Sequence, residues 1–230
     1  MDLPVSRRLK IFFSSLLLQA SWSFAGLQSL GFIHSLVSGS EKLNIKRHCD
    51  CFNTHPYMAN FIIGAVLAVE EKGREILAEH LRRLKSALES AFASVGDLFF
   101  WNILRPTLAL IGVGLTLRFG IVGPIFFLLI FNLIHIYTRI KGISVGYQKG
   151  PAVIEILKTP YLWRVIHLVE VVGLFATGFL FGIFLPMENL NRTIIMIIIS
   201  LAAVLYLFHR KSLSSLFAIL IIFIVIMGVL

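Results

Sequence analysis

The chain has 230 residues, of which 57% are hydrophobic and 14% charged, with a mean hydropathy of +0.88. That balance excludes a soluble domain and describes an integral membrane protein. The net charge of +9 does not describe a nucleic-acid binder, because the basic residues fall between apolar segments instead of on one polar, aromatic-interleaved surface. They mark the cytoplasmic ends of spans.

Residues 1–20 place Arg7, Arg8 and Lys10 ahead of an apolar run from Ile11 to Leu18. This run is too short to cross a hydrocarbon core and has no small-residue cleavage site, so it is expected to be retained as an interfacial amphipathic arm or a clasp. Trp22 to Val37 is expected to continue as a helix, broken near Ser38–Ser40. Residues 1–50 are thus taken as arm and linker, and 51–230 as the membrane-embedded unit.

Cys49 and Cys51 are one residue apart, a strained spacing for a disulfide, and are read as free thiols. With His48 and His55 nearby they suggest a metal site, but no second cysteine pair completes a tetrahedral shell, so no metal or other cofactor is assigned. Asn53 and Thr54 precede His55-Pro56 and suit the cap of a helix over Met58–Glu71. The same amide and hydroxyl suit sugar hydroxyls. Glu70 and Glu71 end that helix, and Glu75 to Glu89 reads as a charged amphipathic surface helix.

The stretch from Ser86 to Gly150 carries the most unusual chemistry. Asp97, Trp101, Asn102, Arg105, Asn132, His135 and Arg139 lie in or beside sequence otherwise made for lipid. Polar groups at that depth face a bundle interior or an aqueous cavity and point to a transport path. Glycines 96, 112, 114, 120 and 123, with Pro106 and Pro124, argue for broken helices. A span over Ile121–Tyr137, interrupted at Gly123-Pro124, is followed by a basic connection from Arg139 to Arg164, which is placed in the cytoplasm. His167 and Glu170 form an interfacial pair. Val165–Leu185, Thr193–Phe208 and Leu213–Leu230 are the remaining spans, with a turn over Pro186–Arg192 and an external C-terminus. P-loop, zinc-protease and serine-hydrolase spacings are missing, so intrinsic catalysis is not expected.

Several motifs occur in the order of one known family: Trp22, Gly26, Gln28 and Gly31; Phe52 to Tyr57; Glu70-Glu71; Gly96-Asp97; Phe100-Trp101; Leu104 to Pro106; Gly123-Pro124; Phe131-Asn132; and Gly146-Tyr147. Over nearly its whole length the chain resembles the membrane component IID of the mannose-type sugar phosphotransferase system. The resemblance implies an all-α polytopic protein of the bacterial inner membrane, with broken or re-entrant helices and a cytoplasmic N-terminus. It further implies a permease half that pairs with the membrane component IIC, in a higher oligomer of IIC–IID pairs. Together they would form the path for a hexose or amino-hexose, which the cytoplasmic components IIA and IIB phosphorylate.

Carried over by motif, Asn53, Thr54, His55, Glu70, Asp97, Trp101 and Arg105 become candidate substrate-binding residues. Amide and carboxylate groups would take hydroxyls and the indole face the C–H side of the ring. The chain departs from the family pattern at Ala25, where a Glu is usual, at Ser90–Ser94, which lacks a Gly-Pro breaker, and around Pro186–Arg192, which is shortened. These departures leave a structural or regulatory scaffold as the alternative.

Overall fold

A computed structural model describes residues 3–40, 43–71 and 78–184, together with Ile194. The fold is all-α. In chain order it comprises α1 (Val5–Leu16), α2 (Ser29–Gly39), a 3₁₀ turn (Ile45–His48), α3 (Ala59–Glu71), α4 (Ala78–Gly96), a π-helical segment (Asp97–Leu104), α5 (Arg105–Phe119), α6 (Val122–Lys149), a 3₁₀ segment (Gly150–Lys158) and α7 (Pro160–Phe184). Three stretches among the described residues are long and apolar enough to cross a membrane: Ala78–Phe119, Val122–Lys158 and Pro160–Leu180. The expected spans over 193–208 and 213–230, and the turn before them, lie outside the described residues.

α3 is the hub. From Ala59 to Val69 every residue is buried, as expected of a helix that is apolar on all sides. At 13 residues it is about 20 Å long, too short to span, and it belongs to the protein interior. Its backbone meets that of α6 directly: a Cβ on Gly146 would lie 2.1 Å from the Phe61 carbonyl oxygen, and one on Gly64 would lie 2.4 Å from that of Ile143. Small residues are what let two helices in a membrane approach this closely. Beside α3, Phe32 of α2 stacks on Phe52 with ring centroids 3.9 Å apart, and α1 packs its buried Ile11 and Ser15 inward.

Four sequence-based expectations change. The helix expected from Trp22 begins only at Ser29. Before it, Ser23 and Leu27 exchange backbone hydrogen bonds, Gly26 N–H donates to Ser23 Oγ, and Leu27 adopts a left-handed φ of 54°. Serine and glycine here offer the backbone local partners that compete with a helix. Asn53 and Thr54 do not cap α3. The amides of Met58 and Ala59 instead donate to the His55 carbonyl, and Tyr57 N–H donates to His55 Nδ1.

Gly96 and Pro106 do not break the chain between α4 and α5. The helix widens over Asp97–Leu104, with Arg105 N–H donating to the Phe100 carbonyl five residues back. Such a register just ahead of Pro106 accommodates a residue that cannot donate and whose ring crowds the preceding turn. Finally, Gly123-Pro124 opens α6 instead of interrupting a span, and the basic connection after Tyr137 remains helical to Lys149. Arg139 is consequently not a loop residue. It is buried, only 5% exposed.

Candidate functional site

The Phe52–Tyr57 segment enters the protein between α2 and α4 and is held by backbone pairing. Gln28 and Thr54 exchange two hydrogen bonds, Gln28 Nε2 to the Thr54 carbonyl at 3.0 Å and Thr54 N–H to Gln28 Oε1 at 3.2 Å. Thr54 Oγ1 donates to the Glu89 carbonyl at 3.0 Å, and Asn53 N–H donates to Glu89 Oε2 at 3.1 Å. The Asn53 side chain is exposed. With Thr54 fixed on both sides, the chain delivers His55 and Tyr57 against the π-helical segment.

There they form an aromatic cluster. His55 stacks on Phe100 and tilts against Trp101, both at 5.1 Å between centroids. Tyr57 lies 5.6 Å from Trp101 and stacks on His135 at 4.5 Å. Arg105 sits over the Trp101 ring at 5.4 Å and Arg139 over Tyr57 at 5.3 Å, distances at which a guanidinium is attracted to the π face. Gly96 makes room for this arrangement, because a Cβ there would come within 2.5 Å of the His55 Cβ.

Burial, and then the Arg139 guanidinium, push the His55 imidazole down to about 4. The ring is therefore neutral at pH 7. Since Nδ1 accepts from the Tyr57 amide, the proton resides on Nε2, a buried atom with no hydrogen-bond partner. That leaves one oriented N–H donor within an aromatic wall.

Around the cluster the spanning helices carry exposed polar side chains. Asp97, Asn102 and Arg105 are exposed on the π segment and the start of α5, and Asn132 on α6 bonds to His135 at 2.9 Å. Asp97, four residues before Trp101, has no hydrogen bond or ion pair among the described residues. Asn53, Thr54, His55, Trp101 and Arg105 are thus gathered into one region with Asp97 at its edge. Tyr57, Phe100, His135 and Arg139 join them. In the sequence, His135 and Arg139 stand out as polar residues at membrane depth, and Tyr57 and Phe100 only as members of the family motifs.

Glu70 is not part of this region. It lies at the other end of α3, where Arg47 Nη1 is 3.2 Å from its Oε1. His48 Nε2 is 3.4 Å from the same oxygen. Burial, with Lys85 and Arg47, pushes His48 down to about 4, so Arg47 and not the imidazole is the charge partner. Next to it, Glu71 accepts from Arg7 and from the Tyr147 hydroxyl. Burial works to raise the Glu71 carboxyl, but these bonds outweigh it and hold the group below its usual range. Cys49 and Cys51 are exposed free thiols whose Sγ atoms meet the backbone carbonyls of Ile45 and Ala25. His167 Nδ1 lies 3.3 Å from Glu170 Oε2, the expected pair.

The sequence model of the phosphotransferase-system mannose/fructose/sorbose family IID component matches residues 3–230. Among characterised relatives, the mannose-specific EIID component of Escherichia coli K12 is 34% identical over 181 residues, which cover 73% of this chain and 64% of the relative. The fructose permease IID component of Bacillus subtilis 168 is 30% identical over 180 residues, 73% of this chain and 66% of that one. The matches thus span about two thirds of these relatives' length.

Among solved structures, a chain of the mannose transporter ManYZ in complex with microcin E492 superposes with a TM-score of 0.60 at 28% identity. That match covers 98% of this chain and 96% of that one. A chain of a structure described as a membrane protein gives a TM-score of 0.68 at 34% identity, covering 77% of this chain and 70% of its own. The chain belongs to the mannose/fructose/sorbose family of phosphotransferase-system IID components.

Proposed function

We propose that this chain is a permease subunit that, together with a IIC component, lines the path of a hexose or amino-hexose across a bacterial inner membrane. In this reading the sugar is phosphorylated by the cytoplasmic components IIA and IIB, and the chain performs no catalysis of its own. Residues 1–50 form a cytoplasmic-side arm, residues 51–230 the membrane-embedded unit, the C-terminus is external, and IIC–IID pairs build a higher oligomer.

One observation carries the proposal. Exposed charged and amide groups on spanning helices surround an aromatic cluster that keeps a free buried donor at His55 Nε2. A charge facing lipid at a helix centre costs about 2.5–3.5 kcal/mol on insertion scales, so these groups suit an aqueous path or a partner surface. Trp101 supplies a ring face for the C–H side of a pyranose, with Tyr57, stacked on His135, packed beside it, and His55 Nε2–H and Asp97 supply a donor and an acceptor for hydroxyls. Asn53, Thr54 and Arg105 border the same region. Glu70, on the opposite end of α3, would contribute through the arm and not by touching this sugar site.

The test is uptake of labelled mannose, fructose and glucosamine by cells expressing the IIA, IIB and IIC components with or without this chain. Phosphorylated sugar that accumulates only with the chain present supports the reading. Asp97→Asn should then cut uptake at least tenfold while the complex still co-purifies, a loss of about 1.4 kcal/mol. Normal uptake by Asp97→Asn, or uptake independent of the chain, would favour the scaffold alternative.

A further inference from the structure

The cluster has a cation on its inner side whose counter-charge is not a carboxylate. Arg139 is 5% exposed and Ser15 and Asn60 are fully buried. Arg139 Nη1 donates to the Ser15 carbonyl at 2.7 Å and reaches Ser15 Oγ at 3.3 Å. Asn60 Nδ2 ties the group together, donating to Ser15 Oγ at 3.0 Å and to the Arg139 carbonyl at 3.1 Å. Among the described residues Arg139 makes no salt bridge. A lone buried cation of this kind is costly in a spanning helix and carries a function by default.

Its position supplies the missing negative end. Ser15 is in the last turn of α1, where its carbonyl accepts only a 3₁₀-type bond from the Leu18 amide at 3.2 Å, keeping a lone pair for Arg139, and the helix dipole favours a cation. The same guanidinium covers the Tyr57 ring, which touches both Trp101 and His135. One side chain therefore holds the end of the N-terminal helix and the wall of the candidate sugar site. The other end of α1 is held by half-buried side chains, Arg7 to Glu71 and Arg8 to Ser144.

We propose that Arg139 is a positioning residue that makes the aromatic cluster depend on the docking of α1. If α1 lifts, Arg139 loses its counter-charge and Tyr57 its support. Because coupling between two places is reciprocal, loosening Tyr57 also loosens α1. The inference rests on the transport reading for its consequence in uptake, but not for the coupling itself.

The experiment uses the full chain assembled with its IIC component. In uptake, Arg139→Gln should raise the apparent KM for the hexose roughly tenfold with Vmax, per assembled complex, within about twofold, the sign of lost positioning instead of lost protein. Arg139→Lys, which can still donate to the Ser15 carbonyl, should bring KM most of the way back to the wild-type value. In limited trypsin digestion of the purified complex, Arg139→Gln and Tyr57→Ala should each speed cutting at Arg7, Arg8 and Lys10 by about fivefold, since cleavage follows the open population.

An unchanged KM with Vmax falling in step with the amount of complex overturns the proposal. So does wild-type cutting of α1 in Tyr57→Ala, which also decides the matter should Arg139→Gln fail to assemble. A wild-type chain that supports no hexose uptake defeats the transport reading, and the digestion alone then decides the coupling.

Discussion

At the start of α3, His55 and Tyr57 rest on rings and under guanidinium groups, and polar atoms such as His55 Nε2 have no partner. At its far end, about 20 Å away along a 13-residue helix, Glu70 and Glu71 are engaged by Arg47, Arg7 and Tyr147. Both ends hold neutral buried histidines, His55 and His48, each pushed down to about 4. The difference lies in how charge is held. Both ends keep buried polar atoms without a hydrogen-bond partner, His55 Nε2 at one and the His48 ring nitrogens and Glu70 Oε1 at the other. Only the far end pairs carboxylates with cations. Free polar atoms inside an aromatic wall suit a ligand that comes and goes, whereas paired charges at a helix end fix one arrangement.

The largest expected effect removes the comparison altogether. Gly146→Val would drive a side chain into the Phe61 carbonyl, 2.1 Å from the Cβ position. It should cost about 3 kcal/mol by overpacking. Thermal denaturation of the complex should show a lowered midpoint, and both ends of α3 should lose protection from hydrogen exchange together.

Acid should act on both ends by the same mechanism. A histidine near 4 in the folded chain and near 6.5 unfolded binds fewer protons when folded, so its contribution to stability is intact above pH 6.5 and declines as the pH falls towards 4. Between pH 7 and pH 5 each should account for about 2 kcal/mol. His48→Asn should flatten the pH dependence of the midpoint without altering sugar affinity. His55→Asn should flatten it and weaken affinity as well. Equal effects of the two variants on affinity would erase the distinction between the ends.

A more direct contrast pairs Trp101→Ala with Glu70→Gln. Trp101→Ala should raise the KM for sugar about tenfold, or about 1.4 kcal/mol, with a small change in midpoint. Glu70→Gln should leave KM unchanged and lower stability by about 1 kcal/mol, read from the denaturation midpoint, because its partner Arg47 is partly exposed and solvent screens the pair. A KM effect of Glu70→Gln as large as that of Trp101→Ala would return Glu70 to the sugar site.

These contrasts follow the line between what local sequence signals and what only packing reveals. α3 was legible because an apolar run with a polar end and a His-Pro entry has few other meanings, and Phe52–Tyr57 was legible as a motif. Arg139 stands out as a polar residue at membrane depth, but its burial is hidden because it also opens a series of Lys and Arg that satisfies the rule for a cytoplasmic loop, and its partner Ser15 is 124 residues away. Gly96 and Pro106 signal an interruption where the π segment instead continues the helix, and a one-residue change of register leaves no periodicity to find. Glu70 joined the candidates through a shared motif order, which carries no information about the helix length separating it from Trp101.

The smallest expected effect tests whether pairing alone, without burial, distinguishes the far end. On α4, Glu79 meets Arg82 at 3.2 Å and Arg83 at 2.9 Å, distances like that of the Arg47–Glu70 pair. Its side chain is 49% exposed, however, against 8% for Glu70. Exposed pairs at helical spacing contribute about 0.3–0.5 kcal/mol, and salt screens them further. Glu79→Gln should therefore change stability by less than about 0.5 kcal/mol, an effect that fades in high salt, while that of Glu70→Gln persists. Similar shifts for the two variants, with the same salt dependence, would mean that the charges at the end of α3 are no more a lock than those on an open surface.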